Sequence, residues 1–293
     1  MVSLESSKEA MTRRGKIAER MIALERPELI DLFLTYQNEA MAARKFLESS
    51  LLELDSGAEI LEVGGGILAL AIQLASEGFK VTSVEPVGEG FTGISFIMNI
   101  YSEIGRIENL DFTLIESPIE NCTFDHKFEF IFSINVMEHL KDPYAVLNQM
   151  NNALKFGGKY RFFCPNYDFP YEPHFGKWIF SRKNDAFYLK PESATEARIN
   201  LIDSRALYLS INFITQRKIN SYLRRHNLQF RSNKNAFYEV LVRSLTDFGL
   251  QERHGSIHKT VLIMKRIGLL GFAKFFPGNF QPVIDMTMFK AKA

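Results

Sequence analysis

With 293 residues, 46% of them hydrophobic and 24% charged, the chain has the make-up of an ordinary globular protein and the material for a sizeable core. Lysine plus arginine exceed aspartate plus glutamate by only one, so no global charge steers the protein to nucleic acid or to an acidic surface. Cys122 and Cys164 are too few for a disulfide framework and lack metal-site spacing, Met1 to Gly15 is polar, and no apolar run reaches about 18 residues; a cytoplasmic protein is expected.

The predicted elements begin with helix. From Pro27 to Leu54 the apolar residues Leu29, Ile30, Phe33, Leu34, Met41, Phe46, Leu47 and Leu51 recur at helical intervals, and Pro27 suits a first helical turn. Five short runs rich in β-branched and aromatic residues follow, at Ala58 to Val63, Phe79 to Val84, Leu110 to Ile115, Phe128 to Ile134 and Lys159 to Cys164, separated by helix-length segments. Two of the helices carry end signals: Ile67 to Glu77 stops at Gly78, and Pro143 to Lys155 starts after Asp142 and stops at Gly157-Gly158. From Asn166 to about Asn235 the alternation gives way to aromatic, basic and turn-rich sequence. A helix at Ala236 to Phe248, a strand at Leu250 to His254 and a final strand at Val283 to Phe289 then follow.

This pattern predicts an α/β fold: a doubly wound, mostly parallel seven-stranded sheet with an antiparallel last strand, N-terminal helices and an inserted cap. Along the chain it divides into an N-terminal helical lid (1–56), an α/β core (57–165), an inserted cap or substrate region (166–235) and a C-terminal completion of the core (236–293).

In open parallel sheets the ligand sits beyond the carboxyl ends of the strands, where a glycine-rich turn lets backbone N–H groups approach it. Ile60-Leu61-Glu62-Val63-Gly64-Gly65-Gly66 is such a strand-to-turn junction, placing a cofactor site in the 57–165 core. Glu85 ends the second strand and follows the first glycine by 21 residues, the spacing of an acid that accepts hydrogen bonds from ribose hydroxyls. A triple glycine also serves any tight turn, and Gly64-x-Gly66-x-x-Ala69 also satisfies the dinucleotide fingerprint. An NAD-dependent oxidoreductase and a non-catalytic cofactor-binding scaffold therefore stay open as alternatives.

The longer string, from about Ile60 to Gly176, resembles the class I, S-adenosylmethionine-dependent methyltransferases. Ile60 to Gly66 resembles their first motif, and Phe128-Glu129-Phe130-Ile131-Phe132-Ser133-Ile134-Asn135-Val136-Met137-Glu138-His139-Leu140 their fourth strand and its continuation. Asp142-Pro143 and Leu154-Lys155-Phe156-Gly157-Gly158 complete the likeness. The resemblance implies S-adenosylmethionine as cofactor. Glu62, Gly64, Gly65 and Gly66 would hold its methionine end, Glu85 the ribose, Glu116 and Ser117 the adenine, and Asn135 with Val136 the surroundings of the sulfonium. The family often has a further glycine where Leu68 stands, so weaker or displaced binding is expected.

Methyl transfer from a sulfonium is an in-line displacement, so the protein chiefly aligns donor and acceptor and excludes water. A hydroxyl or ammonium acceptor must also lose a proton, for which histidine is suited. His139 lies just beyond the fourth strand, and His174 lies beyond the fifth with Tyr171, so these three are the candidate catalytic residues. Histidines in such places also cap helices or hold loops. The pair Glu138-His139 resembles that of metal-assisted relatives, but adjacent side chains on a helix diverge and further ligands are not evident, so no metal is expected. Cys164-Pro165-Asn166-Tyr167 differs in order and position from the motif of nucleic-acid amino-methyltransferases, so DNA base methylation is not expected.

Between Asp203 and Glu239 there is no acid, while Arg205, Arg217, Lys218, Arg224, Arg225, Arg231 and Lys234 are interleaved with Phe213, Tyr222 and Phe230. This stretch reads as a site for an anionic acceptor or as a solvated helix face. Tyr171-Glu172-Pro173-His174-Phe175-Gly176 is similar to bacterial methyltransferases of surface-polysaccharide or lipid biosynthesis, which favours a small-molecule or lipid- or sugar-linked acceptor, methylated on oxygen rather than nitrogen or carbon. Val261 to Phe276 is apolar with Lys265, Arg266 and Lys274; packing on core or cap is favoured over contact with a membrane surface.

Overall fold

A computed structural model describes residues 4–86, 92–175, 177–178, 208–245 and 255–292. The strands are β1 (Glu59–Val63), β2 (Lys80–Val84), β3 (Phe112–Ile115), β4 (Phe128–Ile134), β5 (Leu154–Pro165), β6 (Tyr171–Glu172), β7 (Lys177–Trp178), β8 (Gln229–Ser232) and β9 (Val283–Phe289). Seven of them form one sheet in the order β3-β2-β1-β4-β5-β9-β8, and β6 and β7 form a separate antiparallel pair. The pairs β1/β2, β1/β4 and β2/β3 are parallel, and β8/β9 is antiparallel. Backbone bonds from Lys290 to Gly158 and from Asn166 to Pro282 run with opposed numbering, so β9 is also antiparallel to β5. The expected seven-stranded sheet with an antiparallel last strand is thus what forms.

Two elements differ from expectation. The sheet's outermost strand is Gln229–Ser232, inside the stretch read as an insertion. Its polar, basic alternation concealed a strand that is exposed or half-buried along its length. The strand expected at Leu250 to His254 lies outside the described residues, as do residues 179–207 of the proposed cap and 246–248 of the helix at Ala236. The helix after Asp142, α5 (Pro143–Ala153), ends at Ala153, because β5 already begins at Leu154, five residues before the expected start. Asp142 caps it as expected, its Oδ1 accepting from the Tyr144 and Ala145 N–H groups at 3.0 Å.

The chain forms two compact units, one of Met1–Ile134, Asn148–Tyr160 and Lys290–Ala293, the other of Asn135–Leu147 and Arg161–Phe289. In the first, α1 (Leu4–Glu25), α2 (Ile30–Leu51), α3 (Ala69–Ser76) and α4 (Thr92–Ile107) pack with the parallel strands. Ile22, Leu29, Phe33, Leu68, Ile72, Ile97 and Tyr101 make one buried cluster, and Leu47, Ile60, Leu74 and Phe130 belong to another. Helix α1 is tied in by polar contacts as well: Arg14 is buried and donates to Glu108 and Gln73, and Ser7 donates to Glu77.

Leu68 stands at φ 65, left-handed backbone that costs a non-glycine residue about 1–2 kcal/mol. This gives the missing glycine a physical reason. The side chain is fully buried in the helix cluster, and burying a leucine is worth about 1.5–3 kcal/mol, enough to offset the strain.

In the second unit, α6 (Gln216–Arg225) buries Gln216, Ile219 and Leu223 while Lys218, Arg224 and Arg225 face solvent. A smaller apolar cluster of Leu241, Val261 and Ala273 joins α7 (Ala236–Ser244), α8 (Gly255–Arg266) and the 3-10 segment Leu269–Phe275. No helix among the described residues is long and apolar enough to cross a membrane.

Candidate active site

The first unit holds the glycine turn between β1 and α3. Gly64 and Gly66 have φ of 83° and 52°, conformations that side-chain-bearing residues rarely adopt. Gly65 is needed for a different reason: a Cβ there would lie 2.1 Å from Ser83 Oγ, 2.8 Å from Leu68 Cδ2 and 3.2 Å from Glu62 Oε2. The turn is held to β2 by the Gly64 N–H, which donates to the Val84 carbonyl at 2.8 Å.

Two carboxylates flank the turn. Glu62 is buried and accepts from Ser83 Oγ at 2.7 Å; burial pushes its carboxyl up to about 8, the Ser83 bond opposing and Glu85 adding to the rise. Glu85 Oε2 accepts from the Gly66 N–H at 2.9 Å, and burial raises its pKa against that bond. The predicted acid is therefore at the turn. Its own N–H donates to the Ile115 carbonyl at 3.1 Å, which brings the ends of β2 and β3 together. Of the two residues beyond β3, Glu116 is exposed and Ser117 half-buried. Tyr36 of α2, which sequence reasoning passed over, stands where a Cβ on Gly66 would be 3.4 Å from its Cδ1. Its only sequence signal is a helical position in an aromatic- and apolar-rich segment.

The second unit holds a cluster that brings His139 and His174 together, their ring centroids 5.0 Å apart. Asn135, at φ 56, leads from β4 into the 3-10 turn Met137–His139. Adjacent side chains diverge on an α-helix, but on this short turn Glu138 and His139 both reach the cluster. Asn212 pins the turn, its Nδ2 donating to the carbonyls of Met137 at 2.7 Å and Leu140 at 2.9 Å. His174 arrives from the connection between β6 and β7.

Glu138 is fully buried, and its Oε1 lies 4.0 Å from His139 Nε2 and 3.9 Å from His174 Nε2. Burial pushes Glu138 up to about 7 and His139 down to about 4. A second buried carboxylate, Glu172, takes His174 Nδ1 at 2.5 Å, the Tyr167 hydroxyl at 3.1 Å and the Phe175 N–H at 2.8 Å. Sequence reasoning missed Glu138, Glu172 and Tyr167 as partners, because their meeting depends on contacts between segments. Tyr171 packs edge-on against Trp178, ring centroids 5.6 Å apart, within the β6/β7 pair.

The basic stretch divides. Arg217, Lys218, Arg224, Arg225 and Lys234 are all exposed, and Arg217 is paired with Asp168 at 2.7 Å, an acid from outside the stretch. Arg205 lies outside the described residues.

A methyltransferase-domain family model matches residues 33–233. An uncharacterized protein of Mycobacterium tuberculosis is 34% identical over 266 residues, 90% of this chain and 89% of the relative. A ubiquinone biosynthesis O-methyltransferase of Xylella fastidiosa is 31% identical over 107 residues, 36% of this chain and 40% of its own. Among solved structures, phosphoethanolamine N-methyltransferase 2 of Haemonchus contortus with S-adenosyl-L-methionine aligns at a TM-score of 0.51 and 15% identity, over 94% of this chain and 60% of that one. The chain thus spans less than two thirds of that enzyme, and the likeness is one of fold.

Proposed function

The chain belongs to the methyltransferase-domain family and is an S-adenosylmethionine-dependent enzyme, and on that premise we propose that it methylates an oxygen of an anionic, lipid- or sugar-linked acceptor. The carrying observation is the cluster of Glu138, His139, His174 and Glu172, because a hydroxyl acceptor must lose a proton and an array of imidazole and carboxylate groups can receive it. What supports the cofactor at the glycine turn is the left-handed backbone of Gly64 and Gly66, with two carboxylates beside it.

When bound, the cofactor supplies an electrophilic methyl group. The chain's part is to hold both reactants. Glu62 and Gly64 to Gly66 would take the methionine end, Glu85 the ribose, Glu116 and Ser117 the adenine, and Asn135 with Val136 the sulfonium side. Glu138, His139, His174 and Glu172 would take up the proton that a hydroxyl acceptor gives off on methylation and pass it to water.

Binding of S-adenosylhomocysteine is expected to depend on pH through Glu62. Its carboxyl is raised from the usual range to about 8, so the free protein holds a proton there at neutral pH, while an ammonium ligand favours the carboxylate. Affinity should therefore rise with pH toward about 8, by up to about tenfold per unit, and level off above it. Calorimetry from pH 6 to 9 checks this. A slope that persists in Glu62→Gln would remove Glu62 from the role.

A second observation favours a lipid-linked acceptor. Leu262, Ile263, Ile267, Phe272 and Phe275 are exposed, the last at 82%, and Lys259, Lys265, Arg266 and Lys274 accompany them with no acid from Gly255 to Ile284. Apolar side chains ringed by cations suit an anionic bilayer surface. The test has two arms. The protein should sediment with phosphatidylglycerol vesicles far more than with phosphatidylcholine vesicles, and the double change Phe272→Ser and Phe275→Ser should weaken this by tenfold or more. Labelled methyl from the cofactor should appear in the lipid extract of the source cells in an alkali-stable ether; label found only on nitrogen would refute the oxygen acceptor.

A further inference from the structure

We propose that Glu138, His139 and His174 bind one divalent cation of the zinc class, such as Zn2+ or Co2+. The starting point is an unresolved cost: both carboxylate oxygens of Glu138 are buried with no hydrogen-bond partner. A buried charge without a partner is strongly unfavourable. Protonation would remove the charge yet leave an O–H with no acceptor, since the two Nε2 atoms at 3.9 and 4.0 Å are beyond hydrogen-bond range. A cation resolves the charge and the missing partners together.

The geometry suits one. Single ligand atoms of the three side chains lie within 4.8 Å of one another. Tetrahedral ligands at about 2.1 Å from an ion stand roughly 3.4 Å apart, so modest rotation of the rings closes the set. Both imidazoles have the other nitrogen already occupied: His174 Nδ1 by Glu172 at 2.5 Å and His139 Nδ1 by Ser210 Oγ at 3.1 Å. Such outer partners fix the tautomer, and the Nε2 atoms are the ones that lie beside Glu138 Oε1. Glu172 is itself anchored by Tyr167 and the Phe175 N–H. Two imidazoles and one carboxylate match Zn2+ and its neighbours, whereas Mg2+ and Ca2+ prefer oxygen sets. The histidine side chains are 28% and 23% exposed, so an ion there is reachable from solvent and keeps a position open. The sequence expectation of no metal rested on helical divergence and on the lack of further ligands; the 3-10 turn removes the first ground, and His174 stands within reach as a third ligand.

The chemical consequence rests on the methylation reading given above: an ion in this place would acidify an acceptor hydroxyl that reaches it. The binding itself does not depend on turnover. The full chain, stripped with chelator and dialysed, is titrated with Co2+ followed by visible absorption and with Zn2+ followed by calorimetry. One ion per chain is expected. Glu138→Gln and His174→Ala should each weaken binding by a hundredfold or more, and Glu172→Gln, which keeps the three ligating side chains but weakens the bond to His174 Nδ1, by about tenfold to hundredfold. Retained S-adenosylhomocysteine binding verifies that each variant is folded. Absence of stoichiometric binding, or binding unchanged in both Glu138→Gln and His174→Ala, would overturn the site. A chain that binds the ion as expected but methylates no oxygen refutes the methylation reading alone, and full oxygen methylation by ion-free protein in chelator overturns the ion's catalytic consequence.

Discussion

Gly65→Ala is expected to cost about 2–6 kcal/mol of unfolding free energy and at least tenfold in S-adenosylhomocysteine affinity. The added Cβ would meet Ser83 Oγ at 2.1 Å, far inside contact distance, with Leu68 Cδ2 at 2.8 Å behind it. Overpacking a tight interior costs about 1–3 kcal/mol. Turning Ser83 away relieves the first clash but strips Glu62 of its 2.7 Å hydrogen bond, leaving a buried acceptor unsatisfied at a further cost of about 1–3 kcal/mol. The affinity loss follows because the same displacement moves the backbone that should face the methionine end of the cofactor. Urea melts and calorimetry measure the two effects. Adding Ser83→Ala to Gly65→Ala removes the 2.1 Å contact, so the double variant should recover part of the stability relative to Gly65→Ala. A double variant less stable than Gly65→Ala would show that the crowding argument is wrong.

Much of the first unit was legible in the sequence, for reasons visible in particular residues. Strands β1 to β4 are short apolar runs bounded by turn residues, and in β1 and β2 everything after the first residue is buried, the signature of strands covered on both faces. The glycine turn and Glu85 are a local pattern at fixed spacing, and the structure joins them through the Gly66 to Glu85 bond. Local patterns survive in sequence because one segment carries them whole.

The second unit was less legible because its features are assembled from distant parts. Gln229–Ser232 carries alternation and charge that suit a solvated stretch as well as an edge strand, and only pairing with β9 reveals the strand. Glu138 next to His139 suggested divergence because a helix was assumed. The 3-10 turn, pinned by Asn212 from 75 residues beyond Met137, reverses that inference. Arg217 counted toward an anion site until Asp168 was found against it. In each case a partner far along the chain decides the role.

His174→Ala is expected to lower methyl transfer about 10²–10⁴-fold while leaving S-adenosylhomocysteine affinity nearly unchanged. The ring bridges Glu172, at 2.5 Å from Nδ1, and Glu138, at 3.9 Å from Nε2. Removing it breaks the array that should receive the acceptor's proton, whereas Glu62, Ser83 and Glu85 keep their own contacts at the glycine turn. A structural role alone would lower stability without this pattern, so kcat and KM are read separately. Loss in kcat with KM little changed assigns His174 to the chemical step, and loss confined to acceptor KM assigns it to binding. Added imidazole should restore part of the rate by occupying the vacated space beside Glu172. Full activity of a folded His174→Ala protein would exclude His174 from the chemistry and, with it, the reading of the cluster as the place where the acceptor's proton is lost.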